Sequence, residues 1–201
     1  QRAQAPPLRG GRQRPLTGAR RRTVQMLRIE PHQARVDLVD ALHAPFLGEE
    51  GEALQVAQLL RDIRSLHQNA RDNIIIFTQY HDTLEHIRET LTDTHPNVGT
   101  YSGGGGMQYD ETTGEWVNVG KEAIKRDFTD GDTNILICTD SASEGLNLQT
   151  ADALINFDLP WNPMRVEQRI GRIDRIGQKN EVVKIINYGY KDSIDGDIYE
   201  E

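Results

Sequence analysis

Residues 168–178 read QRIGRIDRIGQ, with Arg169, Arg172 and Arg175 at every third position and glycines at 171 and 177. If residues 164–173 are helical, Gln168 and Arg172 lie one turn apart on one face. Arg175 then stays near that face as the helix ends at Gly177. Two guanidiniums aimed at one point repel each other unless an anion lies between them, and their planar forks match phosphate oxygens bidentately. The plainer alternative is a solvated face paired with Glu167, Asp174 or Glu181. The glycines speak against it, because they weaken a helix unless something must approach its backbone closely. Arg169 is turned about 100° from Gln168 at ideal geometry, so a milder, more structural role is expected of it.

A second unusual stretch, TDSASEGLNLQ at 139–149, follows directly on an apolar run. Its small polar residues and glycine expose backbone N–H groups and hydroxyls, which suit sugar-phosphate contacts; a plain connection between strands is the alternative. No G-x-x-x-x-G-K-[ST] occurs, and no strand pattern ends in an Asp-Glu pair able to hold Mg²⁺. SGGGGM at 102–107 has the glycines of a phosphate cradle but no following Lys, and it precedes a hairpin pattern. By itself the chain lacks the parts of a nucleotide hydrolase. Cys138 is the single cysteine, which excludes an internal disulfide and a Cys-based zinc site. It sits in an apolar run and reads as a core residue. The six histidines show no metal-ligand spacing.

The elements that must position these residues become regular from about residue 53. ALQVAQLLRDIRSLHQ places Val56, Leu59, Leu60, Ile63 and Leu66 on one helical face. NIIIFT (73–78), VGTYS (98–102), TNILICT (133–139), ADALINFD (151–158) and EVVKIINYGY (181–190) are strand candidates. Runs such as IIIF, apolar without alternation, are what a strand buried on both faces requires. HDTLEHIRETL, KEAIKRDFTDG and NPMRVEQRIGRI are helices, the second stopped by Gly131 and the third with Pro163 near its first turn. MQYDETTGEWVNV reads as a polar hairpin or a long loop. Strands alternating with helices predict an α/β fold, a mainly parallel sheet with right-handed crossovers and helices on both faces. Ligands bind beyond the carboxyl ends of such strands. The loops at 78–80, 101–106, 139–148 and 158–163 are therefore the candidate site.

Composition limits the rest. A chain of 201 residues is one domain with a tail, or two very small domains. IIIF and ILIC are too short to cross a bilayer. QRAQAPPLRGGRQRP contains no apolar stretch and no Met opens the chain, so it carries no signal-peptide pattern and reads as part of something longer. Residues 1–30 hold eight Arg and one acid, against 23 Lys and Arg and 31 Asp and Glu in the whole chain. A basic, Pro/Gly-rich, partly disordered arm and linker at 1–50 thus precedes an acidic body at 51–201. The arm either touches nucleic acid or is only a linker.

ILICTDSASEGLNLQTADALINFDLPWNPMRVEQRIGRIDRIGQ, residues 135–178, resembles motifs V and VI of the Swi/Snf-like branch of superfamily 2 helicases, and NIIIFTQYHDTLEHI resembles motif IV. SEG at 143–145 and Asp174 are similar to the bacterial RapA-like group. The resemblance implies a RecA-like domain, the second lobe of a two-lobe motor whose first lobe would carry the phosphate loop and the Mg²⁺ ligands. ATP would bind between the lobes, with Arg172 and Arg175 as arginine fingers and Gln168 helping to position them. Thr139, Ser143, Glu144, Gly145 and Asn147 would form the loop coupling nucleic-acid contact to the cleft, with Gly145 and Asn147 on its nucleotide side. Gln79 and Trp161 would touch the duplex backbone.

The same resemblance implies duplex DNA and the N-terminal lobe as partners, a protein target on the DNA, no membrane, and a cytoplasmic, nucleoid-associated setting. This chain alone is expected to hydrolyse no ATP. The stretch 103–120 is longer than a simple strand-to-helix connection and is either a contact hairpin or a tolerated insertion. Two rivals remain: a non-enzymatic nucleic-acid-binding module that keeps the fold, and an RNA helicase lobe.

Overall fold

Every residue of Ile74–Thr78 and of Ile135–Thr139 is buried, as strands covered on both faces must be. These two runs lie side by side at the centre of one sheet. The structure, a computed structural model, describes residues 21–29, 49–66, 73–95, 97–140, 148–173 and 182–190. Its strands are β1 (Arg21–Ile29), β2 (Ile74–Thr78), β3 (Val98–Ser102), β4 (Gly105–Asp110), β5 (Glu115–Val119), β6 (Ile135–Thr139), β7 (Ala153–Asn156) and β8 (Val182–Tyr190). Its helices are α1 (Glu49–Leu66), α2 (His81–Thr92), α3 (Lys121–Asp130) and α4 (Pro163–Ile173).

The sheet order is β1-β8-β7-β2-β6-β3-β4-β5. The six strands from β1 to β3 are parallel, and β4 and β5 add an antiparallel edge. Alternate residues of the central strands face opposite layers. Ile74 and Ile76 pack with Leu59 and Ile63 of α1 and with Leu84, Ile87 and Leu91 of α2. Ile75 and Phe77 pack with Ile124 and Phe128 of α3 and with Val166, Ile170 and Ile173 of α4. Helices therefore cover both faces, as the pattern of apolar runs predicts. Each such buried Leu, Ile or Phe contributes about 1.5–3 kcal/mol. Cys138 is fully buried, and burial pushes its thiol well above the ordinary range, so it stays a protonated core side chain. Among the described residues no helix is long and apolar enough to cross a membrane.

Three findings refine the expectations. Residues 21–29, within the basic arm, form a strand in parallel register with β8, from Arg21 opposite Val182 to Ile29 opposite Tyr190. The rest of the arm lies outside the described residues. The stretch after β3 is a hairpin continuous with the sheet, in which Tyr109 pairs with Trp116 across β4 and β5. The glycine run is the turn that starts it: Ser102 pairs with Gly105, leaving Gly103 and Gly104 at the bend. Farther along, a Cβ on Gly106 would lie 3.0 Å from Ile124, and one on Gly99 only 2.7 Å from it. These two glycines let α3 sit close on the sheet. They are packing residues.

Candidate functional site at the carboxyl end of the sheet

Strands β2, β6 and β7 run parallel and end together, delivering Gln79, Thr139 and Asp158 to one edge. The chain leaving β7 passes through Leu159 and Pro160, both buried, to Trp161 and then enters α4 at Pro163. Proline suits the first turn of a helix, where its missing N–H is no loss. Four side chains of α4 are buried: Val166, Arg169, Ile170 and Ile173. An arginine thus sits in the apolar stripe of the helix.

Arg169 is 2% exposed. Its Nε donates to Asp140 Oδ1 at 2.6 Å and its Nη2 to Asp140 Oδ2 at 3.0 Å, a bidentate pair. Nη1 donates to Asn156 Oδ1 at 3.0 Å and to the Asp158 carbonyl at 2.9 Å. The guanidinium also lies 5.4 Å from the centre of the Phe77 ring. Beyond it, Asn156 Nδ2 donates to Asn187 Oδ1 at 2.7 Å. The Asp158 carboxylate accepts the Thr78 hydroxyl and the Gln79 N–H at 2.9 Å, and stands 3.7 Å from Arg169 Nη2. Burial raises the Asp158 carboxyl above its usual range, although the Thr78 bond, the Arg169 charge and the Gln79 bonds pull it down. One buried cation therefore ties together the ends of β2, β6 and β7.

The expected site residues fall around this anchor. Gln168 is exposed and Arg172 half-buried, one turn apart in α4, and Gly171 beside them has nothing within 4 Å of where its Cβ would stand. The Arg172 carbonyl accepts the Leu148 N–H at 3.4 Å. Gln79 is half-buried, and its Nε2 donates to the Leu159 carbonyl at 3.3 Å. Thr139 is buried at the last position of β6, and Trp161 is 67% exposed. Arg175, Ser143, Glu144, Gly145 and Asn147 lie outside the described residues.

Sequence reasoning missed several neighbours. Arg169, of which a milder and more structural role is expected, is buried, and its removal would leave Asp140 and Asp158 without their common partner. The signal was present: position 169 shares a helical face with 166, 170 and 173, and an Asp stands directly after β6 and two residues after β7. Tyr80 and Met164, 61% and 62% exposed, stand beside Gln79 and near Trp161 in the chain. Arg165, also exposed, reaches to 3.9 Å from Asp140. Large apolar side chains and an arginine at strand ends give this edge both stacking and charge.

A mainly parallel sheet with helices on both faces is the architecture of a RecA-like domain. The chain belongs to the helicase conserved C-terminal domain family, which matches residues 55–177, and its place is in the Swi/Snf-like branch of superfamily 2. It is 35% identical over 147 residues to the uncharacterized ATP-dependent helicase YqhH of Bacillus subtilis (strain 168), covering 73% of this chain and 23% of that protein. It is 51% identical over 59 residues to the RNA polymerase-associated protein RapA of Vibrio cholerae serotype O1 (strain M66-2), covering 29% of this chain and 6% of RapA. The chain thus spans less than a quarter of either relative. The C-terminal part of the Fun30 ATPase domain has the same fold, with a TM-score of 0.59 and 22% identity over 73% of this chain and 44% of that one. So does the C-terminal domain of the DEAD-box protein Dbp5, with a TM-score of 0.52 and 21% identity over 72% and 74%.

Proposed function

We propose that this chain is the second lobe of a DNA-stimulated ATPase that translocates on duplex DNA, with Arg172 and Arg175 acting as arginine fingers on ATP held between two lobes. The observation that carries this reading is the arrangement of α4. Its buried side is anchored by Arg169, and its open side presents Gln168 and Arg172 a turn apart beside a glycine with free space around it. A carboxamide and a guanidinium fork suit phosphate oxygens. Arg172 and Arg175 would hold the outer phosphates and Gln168 would orient them. Mg²⁺ would neutralise phosphate charge from ligands on the first lobe. Positive charge brought from a second body matters most when phosphoryl charge redistributes, so hydrolysis is tied to lobe closure.

The nucleic-acid side of the reading draws on the edge formed by Gln79, Thr139, Ser143, Glu144 and Trp161, with Gly145 and Asn147 linking it to the nucleotide. The names of the relatives support ATP use, and that of RapA supports a protein target encountered on DNA. In the full-length protein, Arg172→Ala with Arg175→Ala should lower kcat by about 10³-fold or more while nucleotide binding and melting are kept. Lys at either position should rescue poorly, since a point charge cannot reproduce the fork. A folded double variant turning over ATP at near wild-type rate overturns the assignment. Comparing stimulation by duplex DNA, single strands and RNA separates this reading from an RNA helicase. The 201-residue chain alone should show no turnover.

A further inference from the structure

We propose that Arg169 is a coupling residue, a positioning group through which contact at the strand-end edge is passed to the arginine-bearing side of α4; this rests on the functional reading above. The connection between β6 and β7 is tied to α4 at both described ends. At its start, Asp140 is gripped by the Arg169 fork. At its return, Leu148 donates its N–H to the carbonyl of Arg172 itself. The two other strand ends converge on the same guanidinium. Asp158, two residues before Pro160, gives Arg169 its carbonyl while its carboxylate holds the backbone N–H of Gln79. Thr139 precedes Asp140 directly, and Trp161 follows Asp158 by three residues. Gln79 and Thr139 are thus each two bonded steps from Arg169, Trp161 is three residues beyond the Asp158 that Arg169 holds, and Arg172 is three residues further along its helix.

Stability alone does not account for such a group. A buried ion pair is often no more stabilising than apolar side chains of the same volume, and Val166, Ile170 and Ile173 already bury this side of α4. What an apolar residue cannot do is register three chain ends against one another. The guanidinium fork has fixed geometry, so displacing any one strand end must either carry α4 with it or break a buried, charge-assisted bond. Energetic coupling travels through contiguous networks of this kind when they have discrete arrangements.

The test is ATP turnover by the full-length protein with and without duplex DNA, with DNA affinity and melting measured in parallel, for Arg169→Lys and Asp140→Asn. The first keeps the charge without the fork. The second keeps the shape of the partner without its charge. Stimulation by DNA is expected to fall roughly tenfold, a typical size for coupling between sites, while DNA-free turnover and DNA affinity hold. A folded variant with its stimulation ratio intact overturns the proposal. So does an equal fall in DNA-free and stimulated rates, which would make Arg169 a support for the arginine side and no more. If Arg169→Lys does not fold, Asp140→Asn decides. A wild-type protein with no nucleic-acid-stimulated turnover refutes the functional reading itself, and the coupling with it, before any variant is compared.

Discussion

The carboxyl end of the parallel strands and the hairpin edge of the sheet use charge in opposite ways. At the first, one guanidinium and two carboxylates are brought together under α4, with Arg169 almost wholly out of solvent. At the second, Asp110, Glu111, Asp127 and Asp132 border an open cleft of about 410 Å³ together with Val98 and Val117. There Gln108 Nε2 donates to Asp127 at 3.0 Å and to Thr133 at 2.9 Å, while Asp110 is held below the usual carboxylate range by the Thr112 N–H in the hairpin bend. Paired, dry charge specifies the relative placement of distant chain ends. Mostly acidic, largely solvated charge specifies nothing so exact, although Arg126 pairs with Asp127 at 3.1 Å, and it discourages pairing of this edge with another sheet. The carboxyl-end edge is held together by a buried guanidinium matched to two part-buried carboxylates. The hairpin edge is held by apolar fit to α3 and by the stacking of Arg88 over Trp116, 5.1 Å from the ring centre.

Arg169 is the most sensitive point of the carboxyl end. Arg169→Ala removes the shared partner of two part-buried carboxylates and should cost about 3 kcal/mol or more, toward the usual penalty for breaking a buried pair. Arg172→Ala, on the half-buried side of the same helix, should cost less than about 1 kcal/mol. Urea unfolding of the purified chain compares them, and equal losses would mean that burial of Arg169 is not what anchors α4. At the other end the apolar fit is the target. Gly99→Ala places a methyl against Ile124 and Thr133 and should cost roughly 1–3 kcal/mol by overpacking. Adding Ile124→Val removes the Cδ1 that the methyl meets, and part of the loss should return. No recovery in the double variant would place the strain elsewhere.

Smaller effects sharpen the contrast. Gly114 in the hairpin bend has φ of 72° and room around it, so Gly114→Ala should cost about 1 kcal/mol through backbone strain alone, with no change at the carboxyl end by hydrogen exchange. Asp158 gives a test by pH. Its folded pKa is raised, so the native state holds the proton more tightly than the unfolded state does. The stability this group contributes is full below the ordinary carboxylate value and declines as pH rises toward the raised one. Asp158→Asn lacks that decline and should gain on wild type across the same window. A carboxylate stabilised mainly by its ion pair would show the reverse sign, and unfolding curves at several pH values between 4 and 7 distinguish the two.

Much of this molecule is readable from its chain. IIIF and ILIC are apolar at consecutive positions, as a short strand covered on both faces must be. Pro163 and the spacing of Val166, Ile170 and Ile173 define α4, and Gly131, with φ of 89°, ends α3 as its position suggests. These are local signals, because the periodicity of side chains along one element reports which side of it is buried. What lies in RRTVQMLRI could not be read that way. Its three arginines suggest a solvated arm, and its strand exists through pairing with β8, from Arg21 opposite Val182 onward. Arg169 is the same lesson within the site. By spacing it belongs to the buried stripe of α4, and by chemistry to water. Asp140, 29 residues before it, and Asn156, 13 before it, resolve the conflict by arriving at the same point. Periodicity carries no record of such meetings: whether a charge can be buried depends on partners distant in the chain, and only the tertiary fold supplies them.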